Sequence, residues 1–378
     1  MRESQFERNH SIFELMTQAG HNLAELAPAF PNKTLAEIEE VFYDNRLSLR
    51  RTYERFGYLG IRECSSKNFN IGSDGARSNG SSRISSSGIY KIHCYGGSTT
   101  VGDGVADNQT ISAYLGSKLN SKSKVKIEVF NFGAGNHTSL HSTLRLLDHC
   151  LSGNIPDQAV FLNGFNDCYY SAGGADGIVP FFDEILRRSQ DSEFKRNTLS
   201  EIVDLIPNSS KESLAFINSQ FSSEFIEKCL ANIKLRYASA VSIQRFIESS
   251  FGVKIQRFFE PNKALNCRDD QSLLPRVSES NLSIKLVGAL YKEIENIGIK
   301  KFFGRGVTSL IDIDQDKQNF PLYLDGVHYS PAMNEWLASR IGRFIKFKRV
   351  LSRREILRFE SPVTSKEELL NPNNYPLF

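Results

Sequence analysis

No apolar stretch of this sequence approaches the about 18 residues a helix needs to span a bilayer, so no membrane span is expected. The opening residues, Met1-Arg2-Glu3-Ser4-Gln5, are charged and lead into no apolar core, so no cleaved secretory signal is expected either. The six cysteines (Cys64, Cys94, Cys150, Cys168, Cys229 and Cys267) are scattered and form no C-x-x-C pair. That argues against a zinc cluster and against a disulfide framework. Cys94, Cys150 and Cys229 fall in apolar patterns and read as buried thiols. The chain is therefore expected to be cytoplasmic. Its net charge of +3 is too small to argue for nucleic acid or a membrane surface. The basic runs at 340–349 and 353–354 read as solvated helix faces.

Cofactor and metal signatures are missing too. There is no G-x-x-x-x-G-K-[ST] loop, and Gly133-Ala134-Gly135 is followed by Thr138 where a dinucleotide fingerprint needs glycine. His137, His141 and His149 form no H-E-x-x-H, since Ser142 stands where an acid is required. No cofactor and no metal are expected. His141 and His149 read as helix-surface residues, and His137 as a candidate substrate contact.

What remains is an ordinary globular composition, 40% hydrophobic and 24% charged over 378 residues. That allows one large domain with insertions or two smaller ones. Residues 1–57 read as helical. Phe6, His10, Phe13, Leu15 and Met16 mark a first helix, and Thr34 caps a second that carries Leu35, Ile38, Val41 and Phe42. Residues 64–88 are rich in Ser, Gly and Asn. Two readings fit: an N-terminal appendage ending at 88, or an extended segment packed along the main domain.

From residue 89 strands and helices alternate. Strands are expected at 89–95, 125–130, 159–162 and 253–259. Helices are expected where Asp107-Asn108-Gln109-Thr110 offers caps to Ile111, Leu115 and Leu119, along Leu140, Leu144, Leu147 and Leu151, over 224–249 and over 278–297. A further helix begins at Pro331 and carries Trp336, Leu337 and Ile341. This alternation predicts an α/β fold with a parallel sheet and helices on both faces. The main domain is expected over 89–350, with an insertion at about 168–221 that breaks the rhythm and a polar tail over 351–378.

Ligands on such sheets sit beyond the carboxyl ends of the strands. The first strand ends in Gly96-Gly97-Ser98, the second in Asn131-Phe132-Gly133-Ala134-Gly135-Asn136 and the third in Gly164-Phe165-Asn166-Asp167. Late in the chain comes Asp325-Gly326-Val327-His328. A serine in a strand–turn–helix is how an α/β hydrolase exposes a nucleophile, but Thr100 breaks G-x-S-x-G, and a plain turn reads the same way. Asp325 could orient His328 as a base, or the two could pair at a helix start. Asn166 could donate its amide to an oxyanion, or form an Asx-turn. Each signal is modest alone. Their order along one rim is what joins them.

The four blocks resemble those of the SGNH (GDSL-like) hydrolase family over roughly residues 89–346. The resemblance implies a three-layer α/β/α sandwich around a central parallel sheet, flavodoxin-like, with a helical N-terminal appendage added here. It implies Ser98 as nucleophile, His328 as base and Asp325 as its orienter. The oxyanion hole would draw on the Ser98 N–H, the Asn166 side chain and a backbone N–H from Gly135 or Asn136. The second block departs from the family pattern because Asn136 stands where a glycine is usual. The activity implied is ester hydrolysis through an acyl-enzyme on a small-molecule or glycan ester, with an O-acetyl group on a carbohydrate as the expected substrate. An O-acyltransferase with the same triad and a sugar acceptor is the alternative. A binding module that merely keeps the fold is a third.

Overall fold

The computed structural model describes residues 23–80, 89–173, 221–263, 282–311 and 320–346. The first N-terminal helix, most of the 168–221 insertion, the start of the helix expected from 278 and the 351–378 tail lie outside them. Residues through Gly342 belong to one compact unit.

The described N-terminal segment opens with a 3₁₀ stretch, Leu23–Ala29, and then helix α1, Leu35–Asn45. Thr34 caps α1 as expected: its hydroxyl accepts the Glu37 N–H, and the Glu37 carboxylate reaches back to the Thr34 N–H at 2.7 Å. A short antiparallel ribbon follows, β1 (Arg51–Tyr53) paired with β2 (Leu59–Ile61). Leu26, Phe30, Ile38 and Phe42 share a core with Val105 and Leu324, while Ile61, Phe69 and Ile71 share one with Val101 and Ala134. The segment thus packs behind loops at the strand ends.

Five strands form one sheet: β3 (Tyr90–Gly96), β4 (Ile127–Asn131), β5 (Gln158–Asn163), β6 (Lys254–Phe259) and β7 (Val307–Ser309). They lie in the order β4-β3-β5-β6-β7, and every neighbouring pair is parallel. This is the flavodoxin-like order, with its switch point between β3 and β5. Parallel pairing demands crossovers, and helices cover both faces as a result. Every residue of β5 is buried, as a central strand with two covered faces requires. β7 was not among the expected strands, because only three residues pair there, just after Gly304 and Gly306, too few to show a period.

The helices of this layer are α2 (Ser98–Val101), α3 (Ile111–Asn120), α4 (Ser139–Leu151), α5 (Phe165–Tyr169), α6 (Ser223–Phe251), α7 (Leu282–Ile297), α8 (Ile299–Phe303) and α9 (Pro331–Gly342). α3 packs against α9, and α4 against α6. Thr110 caps α3 by accepting the Ala113 N–H, and Ser330 caps α9 by accepting the Met333 N–H. Under α4 and α6, Tyr95 stacks between Phe132 and Phe161. Each such ring pair adds about 0.5–1.5 kcal/mol beyond the area it buries.

α4 forms where the leucine spacing predicts a helix, but the leucines do not dominate its inward face. Leu140, Leu144 and Leu147 are only half-buried and Leu151 is 55% exposed, while Ser142, Thr143, Leu146 and Cys150 face inward. Small side chains win that face because they also bond inside it: Ser142 Oγ donates to Asn163 Oδ1, and Thr143 Oγ1 accepts from Gln244 of α6. His149 is no surface residue either. It lies on the Phe132 ring at 4.2 Å and bonds the Tyr95 hydroxyl at 2.8 Å. Burial pushes its imidazole down to about 3, so it is a neutral, half-buried residue. His141 is half-buried at the start of α4, with Nδ1 accepting the Thr138 N–H.

Candidate active site

Ser98 is the first residue of α2, directly after β3. A single helical turn follows a β-strand here because Gly97 lets the chain bend closely: a Cβ at Gly97 would collide with the Asn166 side-chain amide. Ser98 is half-exposed, and its N–H, at the helix start, meets no acceptor among the described residues. The other end of α2 is held by Arg77. Its guanidinium is 1% exposed and spends all five donors: on Asp107 at 2.8 Å and on the carbonyls of Val101, Gly102, Val105 and Asn68. The 64–80 stretch is therefore a clamp on the serine's helix, which its Ser, Gly and Asn content did not disclose.

The turn after β4 is closed by the His137 N–H donating to the Ala134 carbonyl at 3.3 Å. Gly135 and Asn136 occupy its centre, and Asn136 sits at φ +68°, which suits asparagine at this corner. Neither the Gly135 nor the Asn136 N–H meets an acceptor among the described residues. Arg51 of β1 lies against Gly135, whose missing Cβ leaves room for the guanidinium. His137 is buried rather than open at the rim. It is 4% exposed, with Nε2 at 2.7 Å from the Leu59 carbonyl and its ring edge-on to Tyr58. Burial drives its imidazole well below the ordinary range, so it is a neutral prop under the turn.

Asn166 lies in the first turn of α5, after Gly164 at φ +148°, a conformation reserved for glycine. Its amide nitrogen donates to the His137 carbonyl at 3.0 Å, which ties the third block to the second and leaves the other N–H to point elsewhere. Asp167 takes no part at the rim. It is buried and accepts the Ser139 N–H and hydroxyl, an anion at the start of α4.

Asp325 and His328 sit in a tight loop before α9. The Leu324 N–H donates to the His328 carbonyl at 2.8 Å, and Tyr323 bridges Tyr329. Asp325 Oδ1 accepts the Val327 and His328 N–H groups at 2.6 and 2.7 Å, and Oδ2 accepts His328 Nδ1 at 2.7 Å. The carboxylate thus fixes its own loop and the imidazole together, leaving Nε2 to face away. Burial works to depress the His328 imidazole, but the carboxylates of Asp325, Asp103 and Glu260 prevail and raise it to about 9. Burial would lift Asp325, yet the imidazole and its hydrogen bonds hold it below the usual carboxylate range.

The four expected blocks thus meet at one rim, with Asn166 against Gly97 and bonded to the second turn. No hydrogen bond joins Ser98 to His328 among the described residues. Their loops are linked through Glu260, a residue the sequence reading passed over. It follows β6, with one oxygen accepting from Thr99 beside Ser98 and the other from Phe165 beside Asn166. An acidic residue directly after the Phe258-Phe259 end of a strand, just before Pro261, was the available signal.

No protein-family model matches the chain, and no curated protein matches it. Solved structures similar to it include the lipase/acylhydrolase from Enterococcus faecalis, 16% identical over 67% of this chain and 94% of that one, with a TM-score of 0.34. A member of the lipolytic G-D-S-L family from Veillonella parvula is 10% identical over 68% of this chain and 98% of that one, with a TM-score of 0.36. An acetylxylan esterase from Geobacillus stearothermophilus is 16% identical over 68% and 95%, with a TM-score of 0.35.

Proposed function

We propose that the chain is a serine esterase of the SGNH (GDSL-like) type, with Ser98 as nucleophile, His328 as base and Asp325 as its orienter. The observation that carries this reading is the Asp325 carboxylate gripping His328 Nδ1 at 2.7 Å on the rim that also bears Ser98. In the proposed cycle, His328 Nε2 takes the Ser98 proton as Oγ attacks the ester carbonyl carbon. The oxyanion is met by the Ser98 N–H, the free N–H of the Asn166 amide and a backbone N–H of Gly135 or Asn136. The imidazolium returns the proton to the leaving alcohol, and an acyl-enzyme remains on Ser98. Water, deprotonated by His328, then attacks the acyl carbon and frees the acid and Ser98. A hydroxyl acceptor in place of water would make the same machinery a transferase.

The substrate proposed is an O-acetyl ester on a carbohydrate. p-Nitrophenyl acetate, butyrate and octanoate compared on the purified chain, with acetate release from acetylated xylan, test it. Acetate is expected to be turned over at least about 10-fold faster than octanoate, a difference of about 1.4 kcal/mol in the barrier. Preference for octanoate, or acetyl transfer to a sugar without acetate release, contradicts the substrate reading. No helix among the described residues is long and apolar enough to cross a membrane. Cys64, Cys94, Cys150, Cys168 and Cys229 are free thiols, which suit a reducing compartment, so the proposed location is the cytoplasm.

The raised His328 imidazole has a kinetic consequence. A general base works only when neutral, and carboxylates that stabilise the imidazolium push its loss of a proton to higher pH. kcat/KM measured from pH 5 to 10 is therefore expected to rise through an apparent pKa above the ordinary histidine value, toward about 9. A rise centred at or below the ordinary value of about 6.5 contradicts this.

A further inference from the structure

We propose that Glu260 is a positioning residue, a buried anion that ties the nucleophile, oxyanion and base loops to one point and faces His328 with negative charge. The proposal rests on the esterase reading. Glu260 is 2% exposed at the end of β6, the strand beside the central one. Its Oε2 accepts the Thr99 hydroxyl at 2.7 Å, one residue past Ser98. Its Oε1 accepts the Phe165 N–H at 2.8 Å, one residue before Asn166. Tyr329, one residue past His328, holds its hydroxyl 3.5 Å from Oε2 while donating to the Pro261 carbonyl at 2.8 Å. Each partner is the chain neighbour of a proposed active residue, and the three come from three separate loops. A fully buried carboxylate is costly, and an alcohol or amide could supply the same acceptors more cheaply. What only the carboxylate adds is charge.

The charge has a direction. Glu260 is flanked by Asp167 and Cys168 of α5, Tyr291 of α7, Tyr329 and His328. His328 in turn faces Asp325, Asp103 and Glu260. Burial lifts the Glu260 carboxyl to about 7, against the bonds from Thr99 and Phe165. It is therefore ionised through the alkaline range in which His328 gives up its proton, and it adds to the pull of Asp325 there.

Two variants separate geometry from charge. Glu260→Gln keeps an acceptor for Phe165 and a partner for Thr99 but removes the charge. Glu260→Ala removes both. Glu260→Ala is expected to lower kcat by about 10–100-fold with a smaller change in KM, the scale of a displaced catalytic group. Glu260→Gln is expected to recover most of that loss at high pH, and to lower the His328 titration, followed by NMR of its imidazole, by about half a pH unit or more. Wild-type kcat in Glu260→Ala, or an unmoved His328 titration in Glu260→Gln, overturns the proposal. The NMR titration reads the link whether or not ester is turned over. An inactive wild type with a His328 that responds to Glu260→Gln counts against the esterase reading alone.

Discussion

Ser98→Ala is expected to lower turnover of p-nitrophenyl acetate by at least about 10²-fold, and turnover of an unactivated ester by up to about 10⁶-fold. The range reflects the leaving group. Nitrophenolate departs easily, so water held by the remaining site still finds a low barrier, whereas a sugar alkoxide needs the proton from His328. His328→Ala is expected to cost about as much. The double variant should be no worse than either single one, because in the proposed cycle nucleophile and base act as one unit and removing either would end the acyl-enzyme route. Losses that multiply in the double variant would mean that the two residues act independently. Circular dichroism of Ser98→Ala should match the wild type, since Ser98 is half-exposed and its side chain makes no bond to lose among the described residues.

Arg77→Met carries the largest expected effect on stability. The guanidinium is fully buried against Asp107, itself 6% exposed, and feeds four carbonyls around the end of α2. Removing it strands a buried carboxylate and leaves those carbonyls short of donors. Losing one partner of a buried pair costs about 3–5 kcal/mol. Asn70 still donates to Asp107 at 2.8 Å, which limits the loss. A drop in melting temperature of about 5 °C or more is expected by calorimetry. Arg77→Met with Asp107→Leu should recover part of it, because no anion is then left unpaired. Esterase activity should fall as well, since the clamp holds the helix that begins at Ser98. A variant as stable as the wild type would mean that the clamp contributes nothing.

The sheet was legible because its signals are local. β5 is a short apolar run, β4 alternates apolar and polar residues, and β3, β4 and β5 end in loops whose residue types name a chemistry. Their parallel pairing follows from the helices between them. β7 was hidden by its brevity, and the leucine spacing of α4 marks a helix without telling which face turns inward, since tertiary neighbours set that. His149 and His137 were placed wrongly for a related reason: a histidine's surroundings are set by tertiary neighbours such as Phe132 and Leu59, which no spacing reveals. Among the proposed site residues, Ser98, Asn166, Asp325 and His328 announced themselves by motif. Glu260 and Arg77 did not, because each works through contacts with residues distant in sequence. Arg77 in particular lies in a stretch whose composition reads as linker, yet it makes five bonds to the loop between 101 and 107 and its neighbours.

The most direct test of the central claim is covalent. An alkyl fluorophosphonate phosphorylates a serine only where a base removes its proton and donors hold the phosphoryl oxygen. The wild-type chain, treated with the reagent and digested, is expected to carry one adduct, on Ser98, formed at least about 10²-fold faster than in His328→Ala. An unlabelled Ser98, an adduct on another residue, or equal labelling of wild type and His328→Ala would contradict the account.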